Sequence, residues 1–339
     1  MGGMRRGQGF TRRRLAHRVA SRLAYGSAYA VLCLIWGSTW LAIRIGLEGA
    51  PPFLAASLRF VVASATLLVA AAVARSALPR GRVAWGLVAF TGIVLFTADY
   101  GLIYWGENNG VESGLSAILF ATMPLQTAII AHALLANERL TRQKVAGIAI
   151  GFGGLLLVFR GQLETAGLGK AVPMLAIALS ATCAAAVTVA VKRWGHDANP
   201  VSFNGFAMGV GAVALGAVSL VAGEAWSVPS WPEGIGAILY LALAGSVVTF
   251  VTYLWLLKRV EATRMSYIAL VTPIVAVFLG VSVGNEALDP IALLGAAITL
   301  GGIYLSISKR AAAWIRGLLG VGIATDAAGG PHLPRKDEP

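Results

Sequence analysis

Apolar residues in this chain fall into long, nearly uninterrupted runs separated by short polar breaks. A helix needs about 20 apolar residues to cross the ~30 Å hydrocarbon core of a bilayer. Stretches of that kind are drawn at 24–46, 53–74, 83–105, 113–136, 143–160, 171–191, 202–223, 233–257, 265–284 and 290–308. The pattern predicts an all-α integral membrane protein with ten transmembrane helices. Little of the chain is left for a soluble domain.

The runs repeat. Val111-Glu112 recurs as Val260-Glu261, Pro124 as Pro273 and Tyr104 as Tyr253, all at a register of 149 residues. Nearer the front, Pro52 answers Pro200 and Arg44 answers Lys192 with one residue less, as a single insertion or deletion would give. Each copy holds five apolar runs, and an odd number turns the second copy upside down relative to the first. The expected fold is therefore two inverted five-helix repeats, at 24–160 and 170–308. Segments 1–23 and 309–339 are expected to be cytoplasmic tails, the first of them basic and unstructured. Proline-interrupted apolar segments at matching places in two halves point to a carrier's binding site. Pro124 and Pro273 each remove a helix hydrogen bond, worth ~3 kcal/mol in water. Neighbouring helices and cavity waters can satisfy the freed carbonyl in a membrane bundle. These prolines are the predicted helix kinks, either mobile during transport or static.

Composition agrees with this reading. Charged residues make up 12% of the chain and the mean hydropathy is +0.75, against about 25% charged residues in a soluble domain. The net charge of +12 could suggest nucleic acid, but its distribution argues otherwise. Arg75, Arg80, Arg82, Arg139, Arg142, Lys144, Lys192, Arg193, Lys258, Arg259 and Arg264 fall in alternate loops; Glu48, Glu107, Glu112, Glu164, Glu224, Glu233, Glu286 and Asp289 occupy the others. That asymmetry follows the positive-inside rule and places both termini in the cytoplasm. The expected partners are a lipid bilayer and a small-molecule substrate, with no nucleic acid. The expected location is the cell (plasma or inner) membrane.

Chemistry-bearing residues are sparse. Cys33 and Cys183 both lie inside apolar runs, so neither a disulfide nor a metal site is predicted. The membrane portion has no His-Glu-x-x-His, no Gly-x-Ser-x-Gly and no acidic pair able to hold a metal. No catalytic residue, metal or cofactor is therefore assigned, although a membrane enzyme and a non-transporting scaffold or receptor are the alternatives. Each intramembrane charge costs at least about 2.5–3.5 kcal/mol at a helix centre, which singles out Arg59 and Asp99. Arg59 lies roughly 9 Å from one end of its segment, and Asp99 about 24 Å from the opposite face. Both reach similar depth. They can form a structural pair, Asp99 can serve a substrate or a proton, or each can snorkel alone. Trp36 and Trp40 share one helical face, lining a cavity or packing between helices. Tyr100, Tyr104, Tyr253 and Tyr267 could shape a small-molecule site, though Tyr104 also suits an interfacial belt. Gln126 is an uncharged donor and acceptor near mid-membrane. Glycines at 147, 151, 153, 154, 295, 301 and 302 allow close helix contact, within the fold or between two chains of a homodimer.

These residues carry a family resemblance. The Leu34–Arg44 run with Trp-Gly-Ser-Thr-Trp, the proline followed by Arg59-Phe60, Ala121–Pro124 ahead of Glu138-x-Leu140, and the closing Gly147…Gly153-Gly154 pattern resemble the drug/metabolite transporter superfamily, EamA family. The resemblance spans roughly residues 24–308 and implies ten helices around a central cavity. It also implies a secondary transporter that works by alternating access and exports amino acids or related metabolites. The second half departs from the pattern, with Ala207 where Arg59 would fall, so the cavity is expected to be chemically asymmetric.

Overall fold

The structure, a computed structural model, describes residues 4–158, 160, 168–231, 233–275 and 290–308. Among them there are helices and connecting turns but no strand. Helix α1 runs Met4–Gly49 and its apolar part is Leu23–Gly49. Then follow α2 (Pro52–Val73), α3 (Gly81–Asn108), α4 (Ser113–Leu134), α5 (Arg142–Val158), α6 (Ala171–Trp194), α7 (Pro200–Val221), α8 (Glu233–Leu257), α9 (Ala262–Val275) and α10 (Pro290–Ile307). The apolar part of α1, and α2, α3, α4, α6, α7 and α8, are long and apolar enough to cross a membrane; α9 is a shorter apolar helix. Residues 4–22 correct one expectation. Instead of an unstructured tail, the backbone from Met4 is helical and continues into the apolar segment without a break. Ala, Arg and Leu favour helix and no proline interrupts them. The following apolar helix also removes the cost of nucleation.

Large apolar side chains such as Val69, Leu175 and Val213 point outward and are exposed, as a lipid-facing surface requires. Inside, small residues bring the helices together. Ser57 Oγ and Ser64 Oγ of α2 donate to Ala212 O and Gly205 O of α7, each at 2.8 Å. A Cβ on Gly154 of α5 would lie 2.6 Å from Gly295 O, and one on Gly147 would lie 2.6 Å from Gly302 O, both on α10. Thr299 Oγ1 bridges the same pair by donating to Gly151 O at 3.1 Å. Gly147, Gly154, Gly295 and Gly302 are therefore used within the chain, between α5 and α10, whereas a Cβ on Gly153 or Gly301 would meet nothing within 4 Å.

Two helices leave regular geometry at matching places. In α3, residues Thr91–Asp99 form a π-helical stretch; in α8, Leu243–Val248 do the same. The residue 149 positions after Asp99 is Val248, so both stretches end at equivalent points of the repeat. Wide turns of this kind free backbone carbonyls and occur often at functional sites. Helix α4 breaks at Ala121-Thr122, just before Pro124, where Thr122 Oγ1 donates to Leu119 O at 2.9 Å. Helix α9 has its own turn at Tyr267, and Pro273 lies in the helical stretch that follows. The second half of the run predicted at 265–284, with Glu286 and Asp289, lies outside the described residues.

Candidate functional site

A cavity of about 100 Å³ sits at the centre of the bundle. At roughly 10–15 Å³ per water-sized occupant, it has room for several waters or one small organic molecule. Both halves of the chain build it. Helix α1 supplies Trp36, Thr39, Trp40 and Ile43, α3 supplies Asp99 and Tyr100, and α4 supplies Phe120 and Met123. From the second half come Ala184 and Thr188 of α6, Phe250 and Tyr253 of α8, and Ser266 and Thr272 of α9. Gly37, between the first cavity residues of α1, lets α9 approach closely. A Cβ there would lie 2.8 Å from Val275 Cβ and 3.1 Å from Thr272 O.

Aromatic rings form much of the wall and fix one another. Trp36 packs on Phe250 and Tyr253, each with centroids 5.4 Å apart, and Trp40 meets Phe120 edge-on at 5.6 Å. Tyr253 and Thr188 share a hydrogen bond of 2.9 Å. Such edge-to-face pairs hold rings in place more firmly than their buried area alone would.

Asp99 occupies the last position of the first π-helical stretch and is 2% exposed. Its Oδ1 is buried without a hydrogen-bond partner. A buried carboxylate normally pairs or accepts several hydrogen bonds, so this one marks the cavity's chemistry.

Arg59 is held apart from it. At 1% exposure, its Nε donates to Ser246 Oγ at 2.9 Å, Nη2 to Gly245 O at 3.1 Å and Nη1 to Tyr104 Oη at 3.4 Å. The guanidinium also lies 4.6 Å from the ring centre of Tyr100 and 5.2 Å from that of Phe60. Gly245 O, within the second π-helical stretch, also accepts from Trp36 Nε1 at 3.3 Å and Thr249 Oγ1 at 2.7 Å. Hydrogen bonds from a charged donor are worth about 1.5–3 kcal/mol each, so three can offset the ~2.5–3.5 kcal/mol cost of an intramembrane arginine. The expected alternative of an Arg59–Asp99 ion pair is not realised, because the π-helical carbonyl and Ser246 take the guanidinium first. Arg59 stands behind Tyr100 rather than in the cavity wall.

The other sequence candidates divide. Trp36, Trp40, Asp99, Tyr100 and Tyr253 line the cavity. Tyr104 is 1% exposed and bonded to Arg59, which corrects its reading as an interfacial belt residue. Gln126 donates from Nε2 to Thr122 Oγ1 at 3.0 Å, its Oε1 buried without a partner, and it is not part of the wall. Tyr267 is buried against α5 and α10, where its hydroxyl bonds Ser306 Oγ. Pro124 follows the α4 break one residue after the cavity residue Met123, and Pro273 follows Thr272 in the same way. Sequence reasoning missed Gly245 and Ser246, whose roles depend on the π-helical backbone, and the wall residues Thr188 and Phe250. A buried glycine-serine pair opposite an intramembrane arginine was the available signal.

Two acids bridge the halves at the bundle's ends. Glu138, after α4, is buried and accepts from Ala262 N at 2.6 Å and Thr263 N at 3.1 Å, at the amino end of α9. Beside it, Lys192 Nζ donates to Leu257 O at 2.6 Å and Val260 O at 2.7 Å. Elsewhere Glu224, after α7, accepts from Phe53 N at 3.0 Å and Leu54 N at 2.9 Å, at the amino end of α2. Both carboxylates meet unpaired helix N–H groups and the positive end of the helix dipole.

This arrangement has known relatives. The EamA-like transporter family matches residues 25–160 and 172–308. The chain is 30% identical over 285 residues to the uncharacterized inner membrane transporter YedA of Escherichia coli (strain K12), covering 83% of this chain and 89% of that protein. It is 25% identical to the uncharacterized transporter YoaV of Bacillus subtilis (strain 168), over 80% and 93% of the two chains. A solved crystal structure superposes with a TM-score of 0.70 at 20% identity, over 84% of this chain and 98% of the other; it shares the fold. The chain belongs to the EamA-like transporter family and is a multi-pass membrane transporter.

Proposed function

We propose that this transporter is a secondary carrier exporting amino acids or related small metabolites by alternating access. Ten membrane-spanning helices form two inverted five-helix repeats, both termini are cytoplasmic, and the protein resides in the inner membrane. The observation that carries the reading is the central cavity. It is walled by α1, α3 and α4 from one half and α6, α8 and α9 from the other, and it holds a buried carboxyl group one of whose oxygens has no hydrogen-bond partner. A site at the junction of two repeats is where rocking one against the other exposes a bound molecule to either side. The Glu138 contacts close the basic, cytoplasmic end of that junction. The 149-residue register, recurring in the ends of both π-helical stretches, supports the repeat. The relative named an inner membrane transporter supports the location.

The test uses purified full-length protein in liposomes loaded with a mixed amino-acid and metabolite pool. Counterflow of labelled compounds is followed with and without a pH gradient. Exchange of at least one compound above protein-free liposomes is expected. No exchange of any member of the pool by folded protein contradicts the proposal.

A further inference from the structure

Among the described residues, the cavity wall holds one carboxyl group. It belongs to Asp99, and no Lys, Arg or His stands among the described lining residues. The nearest candidate cation is Arg59, whose guanidinium is spent on Ser246, Gly245 and Tyr104 behind the ring of Tyr100. A ligand carboxylate entering this space would meet Asp99 without a countercharge.

Several polar protons of the wall are spent within the protein. Thr39 Oγ1 donates to Trp36 O at 2.8 Å, Ser266 Oγ to Thr263 O at 2.7 Å and Trp36 Nε1 to Gly245 O at 3.3 Å. What those hydroxyls still offer a ligand is lone pairs. The walls add aromatic rings from Trp36, Trp40, Tyr100, Phe120, Phe250 and Tyr253, whose faces carry negative quadrupole density and attract cations. The ring of Tyr100 already holds one cation, the Arg59 guanidinium, at 4.6 Å. A carboxylate, acceptor oxygens and aromatic faces are complementary to an ammonium group and to an apolar body. They are not complementary to an anion.

We infer that the cavity takes small organic amines, with Asp99 as countercharge to the ammonium group and the aromatic walls around the hydrocarbon part. This rests on the transport reading above and narrows it. Within a pool of amino acids and related metabolites, the amines that lack a carboxylate are the ligands. A free amino acid brings a carboxylate for which the described wall residues offer no cation.

Binding to purified full-length protein is measured by calorimetry at neutral pH with four probes of nearly one shape: 2-phenylethylamine, 3-phenylpropionate, L-phenylalanine and 2-phenylethanol. The amine is expected to bind at least about tenfold more tightly than each of the other three. Asp99→Asn is expected to weaken the amine by about tenfold or more while moving 2-phenylethanol by less than about threefold. Asp99→Glu keeps the charge and keeps the preference for the amine, and it decides the matter if the asparagine variant does not fold. Equal or tighter binding of the anion or the zwitterion overturns the inference. So does absence of amine binding at millimolar concentration, or an amine preference that survives Asp99→Asn. A protein that prefers L-phenylalanine and exchanges it across liposomes keeps the transport reading and loses this one. A protein that binds the amine yet exchanges nothing does the reverse.

Discussion

Glu138 Oε2 takes two hydrogen bonds from Thr263, one from the backbone N and one from Oγ1, each at 3.1 Å. The residues lie 125 positions apart in sequence, so one carboxylate ties the segment after α4 to the start of α9. With Oε1 on Ala262 N at 2.6 Å, three donors converge on a side chain that is 4% exposed. Truncation strands those donors, and each buried unsatisfied group costs about 1–3 kcal/mol. Glu138→Ala should therefore lower thermal stability clearly. Glu138→Gln, which keeps an acceptor but loses the charge, should cost less and favour opening of this end. Cysteine labelling at Thr263 in each background reads the opening. Unchanged melting and labelling in both variants would remove Glu138 as a latch.

Arg59 and Asp99 give a second prediction. Arg59→Gln should destabilise by roughly 2–4 kcal/mol, because Gly245 O and Ser246 Oγ lose a charged donor and the Tyr100 face loses its cation. Adding Asp99→Asn should not recover that loss, since the two side chains make no ion pair. Chemical or thermal unfolding of the single and double variants measures it. Recovery of most of the stability in the double variant would reinstate a structural pair.

Glycine packing supplies a matched comparison within one helix. At Gly154 a Cβ would sit 2.6 Å from both Gly295 O and Thr299 N, backbone atoms that cannot turn aside; at Gly153 it meets nothing within 4 Å. Gly154→Ala should cost about 1–3 kcal/mol through overpacking. Gly153→Ala should be neutral or stabilising by up to ~1 kcal/mol through helix propensity. Equal melting temperatures for the two variants would mean that α5 and α10 are not packed as described.

Much of this was legible beforehand, and the reason differs from place to place. Helix bounds such as Pro52–Val73 and Glu233–Leu257 follow directly from apolar run length and from Pro at a first turn. Trp36, Trp40, Asp99, Tyr100 and Tyr253 could be nominated because polar and aromatic residues are conspicuous in such runs. Their separation from Arg59 and Tyr104 could not be read, because it depends on a π-helical turn that presents Gly245 O to the guanidinium. No hydropathy pattern encodes a change of backbone pitch. The helical character of residues 4–22 was missed for a related reason: charge suggested solvation, while propensity and the neighbouring helix decided the backbone.

Loop charge predicts the topology. Reporter fusions after Arg82, Arg142 and Arg193 should be cytoplasmic, and those after Glu112, Glu164 and Glu233 external. An inverted signal at any adjacent pair would break the two-repeat plan.

If transport passes through the cavity between the two halves of the chain, filling that cavity should stop it. Ala184 lines it at 5% exposure, and Ala184→Trp would occupy much of its space. Counterflow is measured in liposomes with wild-type protein and with the variant, at matched incorporation and with monodisperse material for both. Exchange by the wild type and none by the filled variant is expected. Exchange by Ala184→Trp at the wild-type rate would place the transport route elsewhere in the bundle.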